Sequence, residues 1–479
     1  MAGIGFALKT LGRQETLSAL VKASGHAAVI AAGPWLFTVF SLATISAFAE
    51  PVVGQATLAT FRAIVIYAFA TSLVLAAPIT IVATRLVADQ LWKNETGKVR
   101  ALLISACALA LAAVTPGVMA LAAYFAVPFR LASALFATTG VVAMIWVVLA
   151  FCGAIRDYKG ITLSFVVGLV VAIAGATAAA LAGLGSGGMV WGFTFGLTMT
   201  FAGLALRVLQ TFTGVTPRPF AAHADLLAGL RTYGDLAAGA LFATAGVWVD
   251  KWVFWFSSEG QTVEGGLIHA PLYDSAMFIA SLVIIPALAQ FVVKLETEFF
   301  ARYQHYYGTI QSHGTIDQIE TARVRLQGFS LESLVLITVS QLALAAVLVL
   351  AAPAIVDVLN LQFRQTAILR YGALGSVFLF IFVAATSMIV FFDRRRIYAG
   401  LQILFFTLNL VLTMLSVRWG EDYYGVGYFA ASLISSAVAL IVADQTFGKL
   451  NYLTFIGNNP SVSGPKRRRR WVFFGPVVN

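Results

Sequence analysis

Tyr273-Asp-Ser-Ala-Met-Phe-Ile-Ala-Ser-Leu-Val-Ile-Ile-Pro286-Ala-Leu-Ala-Gln-Phe-Val-Val-Lys294-Leu-Glu-Thr-Glu298 is the stretch whose reading decides the fold. From Ser275 to Val293 it carries no charge, about the ~20 apolar residues a helix needs to cross a ~30 Å hydrocarbon core. Lys294, Glu296, Glu298 and Arg302 then follow in quick succession, so the chain leaves the lipid there. Pro286 lies inside the apolar run. A proline removes one backbone donor and bends a helix, which a membrane tolerates only where neighbouring helices or a polar cavity re-satisfy the freed carbonyl. The stretch therefore reads as a kinked helix lining a bundle of membrane spans.

The same parts occur earlier. Ser72-Leu-Val74 precedes Pro78, and Arg85 and Asp89 follow, as Ser281-Leu-Val283 precedes Pro286, with Lys294 and Glu296 beyond. Pro78 and Pro286 are thus candidate helix hinges at matching places in two halves. Internal repeats are the common construction of secondary transporters, with the translocation path at the repeat interface. A chance recurrence of proline and Ser-Leu-Val among apolar residues accounts for the match equally well.

Composition fixes the class. With 60% hydrophobic and 11% charged residues, the chain is far from the ~25% charge of soluble globular proteins. An all-α polytopic membrane protein is expected. Apolar runs of spanning length fall at about 26–49, 57–83, 101–126, 131–151, 161–183, 189–213, 232–256, 272–293, 329–352, 368–392, 397–417 and 424–446. These twelve spans form two pseudo-symmetric six-helix lobes, 26–213 and 232–446. The remaining parts are an N-terminal amphipathic segment, 1–25, a linker, 214–231, a helical loop, 294–328, and a basic tail, 447–479.

The alternation of spans leaves Arg62, Arg130, Lys251, Arg364, Arg370 and Arg418 on one side and the other 25 of the 31 basic residues opposite. Basic residues collect on the cytoplasmic side. Both termini, the linker, the loop and the tail are accordingly expected in the cytoplasm of a bacterial cell whose inner membrane holds the chain. No short apolar stretch ends at a small-residue cleavage site, so no removable leader is expected. The two cysteines, Cys107 and Cys152, sit in or beside apolar runs and suggest neither a disulfide framework nor a metal site. The net charge of +10 follows from topology, because the basic residues are spread over short loops. A nucleic-acid partner is therefore not implied.

Chemistry is sparse. Gly183-Leu-Gly-Ser-Gly-Gly188 has the letters of a dinucleotide fingerprint, but no strand precedes it and it reads as a turn between spans. The five histidines show no zinc spacing, and neither a phosphate-binding lysine loop nor a nucleophile elbow is present. No catalytic residue, metal or cofactor is expected. Polar groups in lipid are costly and are functional candidates by default. Those nominated for a substrate path are Arg62, Asp250, Lys251, Asp274, Gln290, Gln341, Arg370 and Asn409, with Trp35 and Thr407 beside them. The charged ones lie near span ends, where snorkelling or interfacial pairing competes with a functional role. A proton-coupled exporter should carry a deep carboxylate, so their placement favours a path lined by hydroxyls, amides and aromatic faces, which suit sugar rings. Glu296, Glu298, Tyr306, Arg394, Arg395 and Arg396 are nominated as a docking face for a partner.

Three patches carry a family resemblance: Met1-Ala-Gly-Ile-Gly-Phe6 with Gly33-Pro-Trp35, Tyr273-Asp-Ser-Ala-Met277 through Pro286, and Glu296-Thr-Glu-Phe-Phe300 with Tyr306-Tyr-Gly308. On these the chain resembles the PelG family, the inner-membrane transporter of the Pel exopolysaccharide system, within the multidrug/oligosaccharidyl-lipid/polysaccharide (MOP) exporter superfamily. The resemblance implies a two-lobed, non-enzymatic exporter of a hexosamine-rich polymer of the biofilm matrix. It also implies a cytosolic glycosyltransferase and membrane partners that include a cyclic-di-GMP receptor. It supplies no substrate residues, and the Arg467–Arg470 cluster lies outside it. Two alternatives stay open: a flippase or drug exporter of the same architecture, with Arg62 or Arg370 attracting a pyrophosphate, and a scaffold that only anchors a cytosolic synthase.

Overall fold

In the computed structural model, residues 17–93, 95–155, 157–213 and 220–457 are described, without the side chains of residues 17–32, Trp35, Glu296 and Gly457. The amphipathic segment before residue 17, part of the linker, the tail from 458 and the side chains of Trp35 and Glu296 lie outside the described residues. The regular structure of the rest is helical apart from one short hairpin.

The helices are α1 (Leu17–Trp92), α2 (Gly97–Tyr124), α3 (Phe129–Cys152), α4 (Tyr158–Leu181), α5 (Gly185–Thr211), α6 (His223–Thr232) and α7 (Gly234–Trp255). After them β1 (Gln261–Thr262) pairs antiparallel with β2 (Ile268–His269). Then come α8 (Pro271–Ser281), α9 (Ile284–Lys294), a π-helical turn (Leu295–Phe299), α10 (Phe300–Gln311), α11 (Ile316–Val358), α12 (Gln365–Phe391), α13 (Arg395–Trp419) and α14 (Val426–Gly448). A short α15 (Leu450–Tyr452) and a second π turn close the described chain.

Among the described residues, ten helices are long and apolar enough to cross a membrane. Twelve spans were expected, and the difference lies in two places. Expected spans 1 and 2 fall within the single element α1, of which Leu36–Trp92 counts as one member. That helix reverses direction. Phe37 and Phe61 would be about 36 Å apart on a straight helix, yet their rings lie 5.8 and 5.9 Å from the ring of Phe193. The turn contains Gly54 with φ +75°, a conformation open to glycine because it has no Cβ. Helix α7, the expected seventh span, falls outside the ten; adjacent Asp250 and Lys251 lower its apolar character.

The described residues fall into two compact units, Ala28–Pro271 and Leu272 onward, the second also taking 17–27 at the start of α1. The division falls after the hairpin, and α7 groups with the first unit. The reason is local. Tyr67 of α1 stacks on Trp255 of α7 with ring centroids 4.5 Å apart, and its hydroxyl donates to the Ile268 carbonyl at 2.7 Å. Phe125 closes on the edge of Tyr67 and stacks on Phe256.

The tightest pairing of the first unit is α4 against α5. Gly168 faces the Gly196 carbonyl, Gly175 and Gly192 meet backbone to backbone, and Gly196 faces the Ala172 backbone, so an added Cβ at any of them would collide. Small residues that let backbones touch are how membrane helices associate without a hydrophobic driving force. Behind the seam, Thr138 and Thr194 share a buried hydroxyl contact of 2.6 Å.

In the second unit, α10, the start of α11 and α15 are tied by side chains. The Tyr306 hydroxyl donates to Asn451 Oδ1 at 2.8 Å, and Asn451 Nδ2 donates to Glu320 at 2.7 Å. Arg323 pairs with Glu320 and donates to the Phe447 carbonyl, while Gln327 reaches Asp444 at 3.0 Å.

Candidate functional site

The site is built around the proline with which the sequence reading began. Helices α8 and α9 are separated by Leu282 and Val283, and Pro286 sits in the first turn of α9, where a missing N–H is tolerated. A continuous helix would need the Pro286 nitrogen to serve the Leu282 carbonyl. The Ile285 N–H takes that acceptor instead, at 3.2 Å, and Leu282 and Val283 donate to Ile279 and Ala280 by the same three-residue step. The chain thus repairs most of its own break by tightening into 3₁₀ geometry.

The neighbours complete the repair. The Ser376 hydroxyl of α12 donates to the Gly372 carbonyl of its own helix at 2.9 Å and stands 3.3 Å from the Ala280 carbonyl, and Gly372 brings α12 so close that a Cβ would fall 2.7 Å from that of Ala280. Gln341 of α11 donates its amide to the Ser376 carbonyl at 3.1 Å. Because that partner is a carbonyl, the nitrogen must face it, which leaves Gln341 Oε1 as the free end. This oxygen is buried and accepts nothing, on a residue only 3% exposed. A buried unsatisfied acceptor costs about 1–3 kcal/mol. Val283, Ala345 and Val377 pack beside it. At the start of α8, Gln365 ties α12 to the Leu272 carbonyl at 2.9 Å and to Ser275 Oγ at 2.6 Å.

A second uncharged polar seam runs between α13 and α14. Gly427 lies against the backbone of Thr413, the Thr413 hydroxyl donates to Asn409 Oδ1 at 3.2 Å, and Asn409 is fully buried. Ser432 and Ser435 of α14 are fully buried, and their hydroxyls have no partner.

The nominated path residues separate into groups. Gln341 and Asn409 are interior amides of the second unit. Asp250 is fully buried in the first unit and pairs with Lys251, whose ammonium lies 3.0 and 3.1 Å from the two carboxylate oxygens and also donates to the Val247 carbonyl. This pair cancels its own charge. Arg62 is half-buried, within electrostatic reach of His269. Asp274 lies in the first turn of α8, where a carboxylate complements the helix dipole. Gln290 is exposed, and exposed Arg370 donates to the Val349 carbonyl at 3.2 Å.

In the matched copy, Ser72 donates to the Phe69 carbonyl as Ser281 donates to Phe278, so the two serines act alike. The prolines do not. Pro78 lies inside unbroken α1, whereas Pro286 sits beside a break. Among the docking nominees, Glu298 pairs with Arg302 and Arg395 with Asp393, while Tyr306 is fully buried in the tie to Asn451 and offers no outer surface.

Sequence reading missed Ser376, Gln365, Ser432 and Ser435. Lone serines in apolar helices usually bond their own backbone, as Ser376 does at Gly372, and only packing reveals that Ser432 and Ser435 do not. The spacing Ser432-x-x-Ser435-Ser436 on one helical face was the available signal. Among the described residues, no three His, Cys, Asp or Glu side chains converge as metal ligands.

Ten long apolar helices among the described residues, with uncharged polar groups packed on the break at Pro286, define a multi-pass membrane protein. Solved structures share this fold. A MATE transporter in its straight conformation matches with TM-score 0.62 and 15% identity, covering 89% of this chain and 96% of that one. A MOP superfamily transporter from Pyrococcus furiosus, described as having a binding pocket of reverse polarity, matches with TM-score 0.62 and 14% identity over the same shares. An outward-facing MATE transporter of that superfamily reaches 0.59 at 15% identity, with 89% and 96% covered. The chain belongs to the PelG family, described as "Putative exopolysaccharide Exporter (EPS-E)", whose model matches residues 1–455. No curated protein matches.

Proposed function

We propose that this protein exports a hexosamine-rich exopolysaccharide across the bacterial inner membrane during biofilm matrix synthesis. In this reading both termini are cytoplasmic, and the chain works beside a cytosolic glycosyltransferase and a cyclic-di-GMP receptor. The observation that supports the reading, beyond family membership, is the uncharged polar character of the broken-helix site and of the buried face of α14. Gln341 Oε1, Ser432 and Ser435 are buried polar groups without partners, and hydroxyl-rich sugar rings satisfy such groups without bringing a charge into lipid. The interior ion pair Asp250–Lys251 is internally compensated, so it presents no net attraction to an anion.

Reconstitution tests this. Vesicles holding the protein should pass a hexosamine oligomer across the bilayer, and Gln341→Leu should slow that passage while Arg62→Gln with Arg370→Gln should not. A protein that passes no polymer is a scaffold. One that moves lipid-linked pyrophosphate sugars and loses this activity in the double arginine variant is a flippase. Either result overturns the reading.

A further inference from the structure

On the first unit, α3, α4 and α5 enclose an open groove of about 620 Å³ that no part of the transport reading uses. Arg130 and Ser133 of α3 stand at one wall, Gly175, Ala178 and Ala182 of α4 form another, and Trp191 of α5 flanks it. The lining is almost wholly alkyl. From Ala182 down to Gly175 it runs two helical turns, about 10 Å, or roughly a third of a ~30 Å hydrocarbon core.

Its mouth lies where three helix ends meet: the start of α3, the end of α4 and the start of α5. The neighbouring hairpin turn marks the same end, since a Cβ at Gly265 would come 2.9 Å from the Leu131 side chain. Arg130 is the one charged residue of the lining. Its guanidinium donates to the Leu184 carbonyl through Nη2, which anchors it at the rim. A guanidinium has five N–H donors in a planar fork, so most of them remain for an acceptor outside. Ser133 is occupied with the Arg130 carbonyl at 3.0 Å. Trp191 is 49% exposed beside the groove, next to Gly192, which meets Gly175 at the groove's deeper end.

We infer that this groove holds one anionic glycerophospholipid, its phosphate on Arg130 and an acyl chain along the small residues of α4. The charge decides the occupant. An apolar partner helix would have to cover a cation, and a sugar would find only Arg130, Ser133 and the Trp191 indole to bond along a wall otherwise of glycine and alkyl groups. A phospholipid matches both, a cation at headgroup depth above an alkyl channel. The inference is independent of the polymer reading, because it concerns the outer wall of one unit.

The test uses the full chain in vesicles of phosphatidylcholine with increasing phosphatidylglycerol, one of the two brominated on its acyl chains. Trp191 fluorescence is isolated as the difference between the wild-type protein and Trp191→Phe. A phosphate at one interfacial basic residue corresponds to about a fivefold preference. Brominated phosphatidylglycerol should therefore quench Trp191 at about one-fifth the mole fraction that brominated phosphatidylcholine requires. Arg130→Gln should erase the preference, Arg130→Lys should keep most of it, and Ala178→Leu should weaken quenching by both lipids. The lysine variant decides the matter if the glutamine variant does not fold. Equal quenching by the two lipids means annular lipid only. A preference that survives Arg130→Gln places the phosphate elsewhere, and an absence of quenching means a protein helix covers the groove. Each of these overturns the inference.

Discussion

Gln341→Leu separates a structural role from a transport role for the broken-helix site. The substitution deletes one interhelical hydrogen bond, Nε2 to the Ser376 carbonyl at 3.1 Å. Such bonds between membrane helices average about 0.6 kcal/mol, and the Ser376 carbonyl still has the bond of its own helix. The substitution also deletes Oε1, a buried acceptor without a partner, whose retention costs about 1–3 kcal/mol. Leucine fills nearly the same volume beside Val283, Ala345 and Val377. The net expectation is a change between neutral and about 2 kcal/mol of added stability. The apparent Tm in detergent should hold or rise by a few degrees, at roughly 2 °C per kcal/mol for a large chain. Polymer export, read as secreted hexosamine polymer per cell at matched protein level, should fall several-fold. A drop in Tm with unchanged export would show that Gln341 is packing and that its free oxygen serves nothing.

Other substitutions probe the neighbouring features. Pro286→Ala restores a donor for the Leu282 carbonyl and favours a continuous helix by up to about 3 kcal/mol; export should drop while membrane insertion, read by protease protection, stays intact. Tyr67→Phe removes the bond to the Ile268 carbonyl and should cost about 1 kcal/mol, seen as faster amide exchange in 261–269 with unchanged exchange in the second unit. His269, in the hairpin, has its pKa pushed down by burial and then by the Arg62 charge. A histidine depressed in the folded state contributes stability that is complete above its unfolded pKa of about 6.5 and is lost as pH falls through the folded value. The protection of amides in 261–269, taken as the slowing of exchange relative to the free chain at the same pH, should therefore be constant from pH 7 to 8 and fall on acidification below about pH 6.5. His269→Asn should remove that dependence.

The span-and-turn plan was legible because lipid imposes a single rule, that roughly twenty uncharged residues make a crossing. The break at Pro286 followed from proline's missing donor, but the remedy did not. The sequence reading looked to neighbouring helices for the freed carbonyl, whereas Ile285 takes the Leu282 carbonyl within the same segment and Ser376, bonded to its own Gly372 carbonyl, only approaches Ala280. The placement of α7 escaped the reading for a different reason. Its allegiance is set by Tyr67 stacking on Trp255, a contact between residues far apart in the chain that no local pattern encodes. Buried polar atoms posed the same difficulty: Gln341 stood out by its chemistry, while Ser432 and Ser435 look like any helix serine until their surroundings are seen.

The contact of α4 with α5 bears on how the first unit can move. Where Gly175 meets Gly192 and Gly196 meets Ala172, main chain rests on main chain, and no side chain stands between them to switch rotamer and permit sliding. Any displacement in that region must carry both helices together as one stiff plank. Bending within the protein is thereby confined to places with softer joints, such as the tightened turn between α8 and α9.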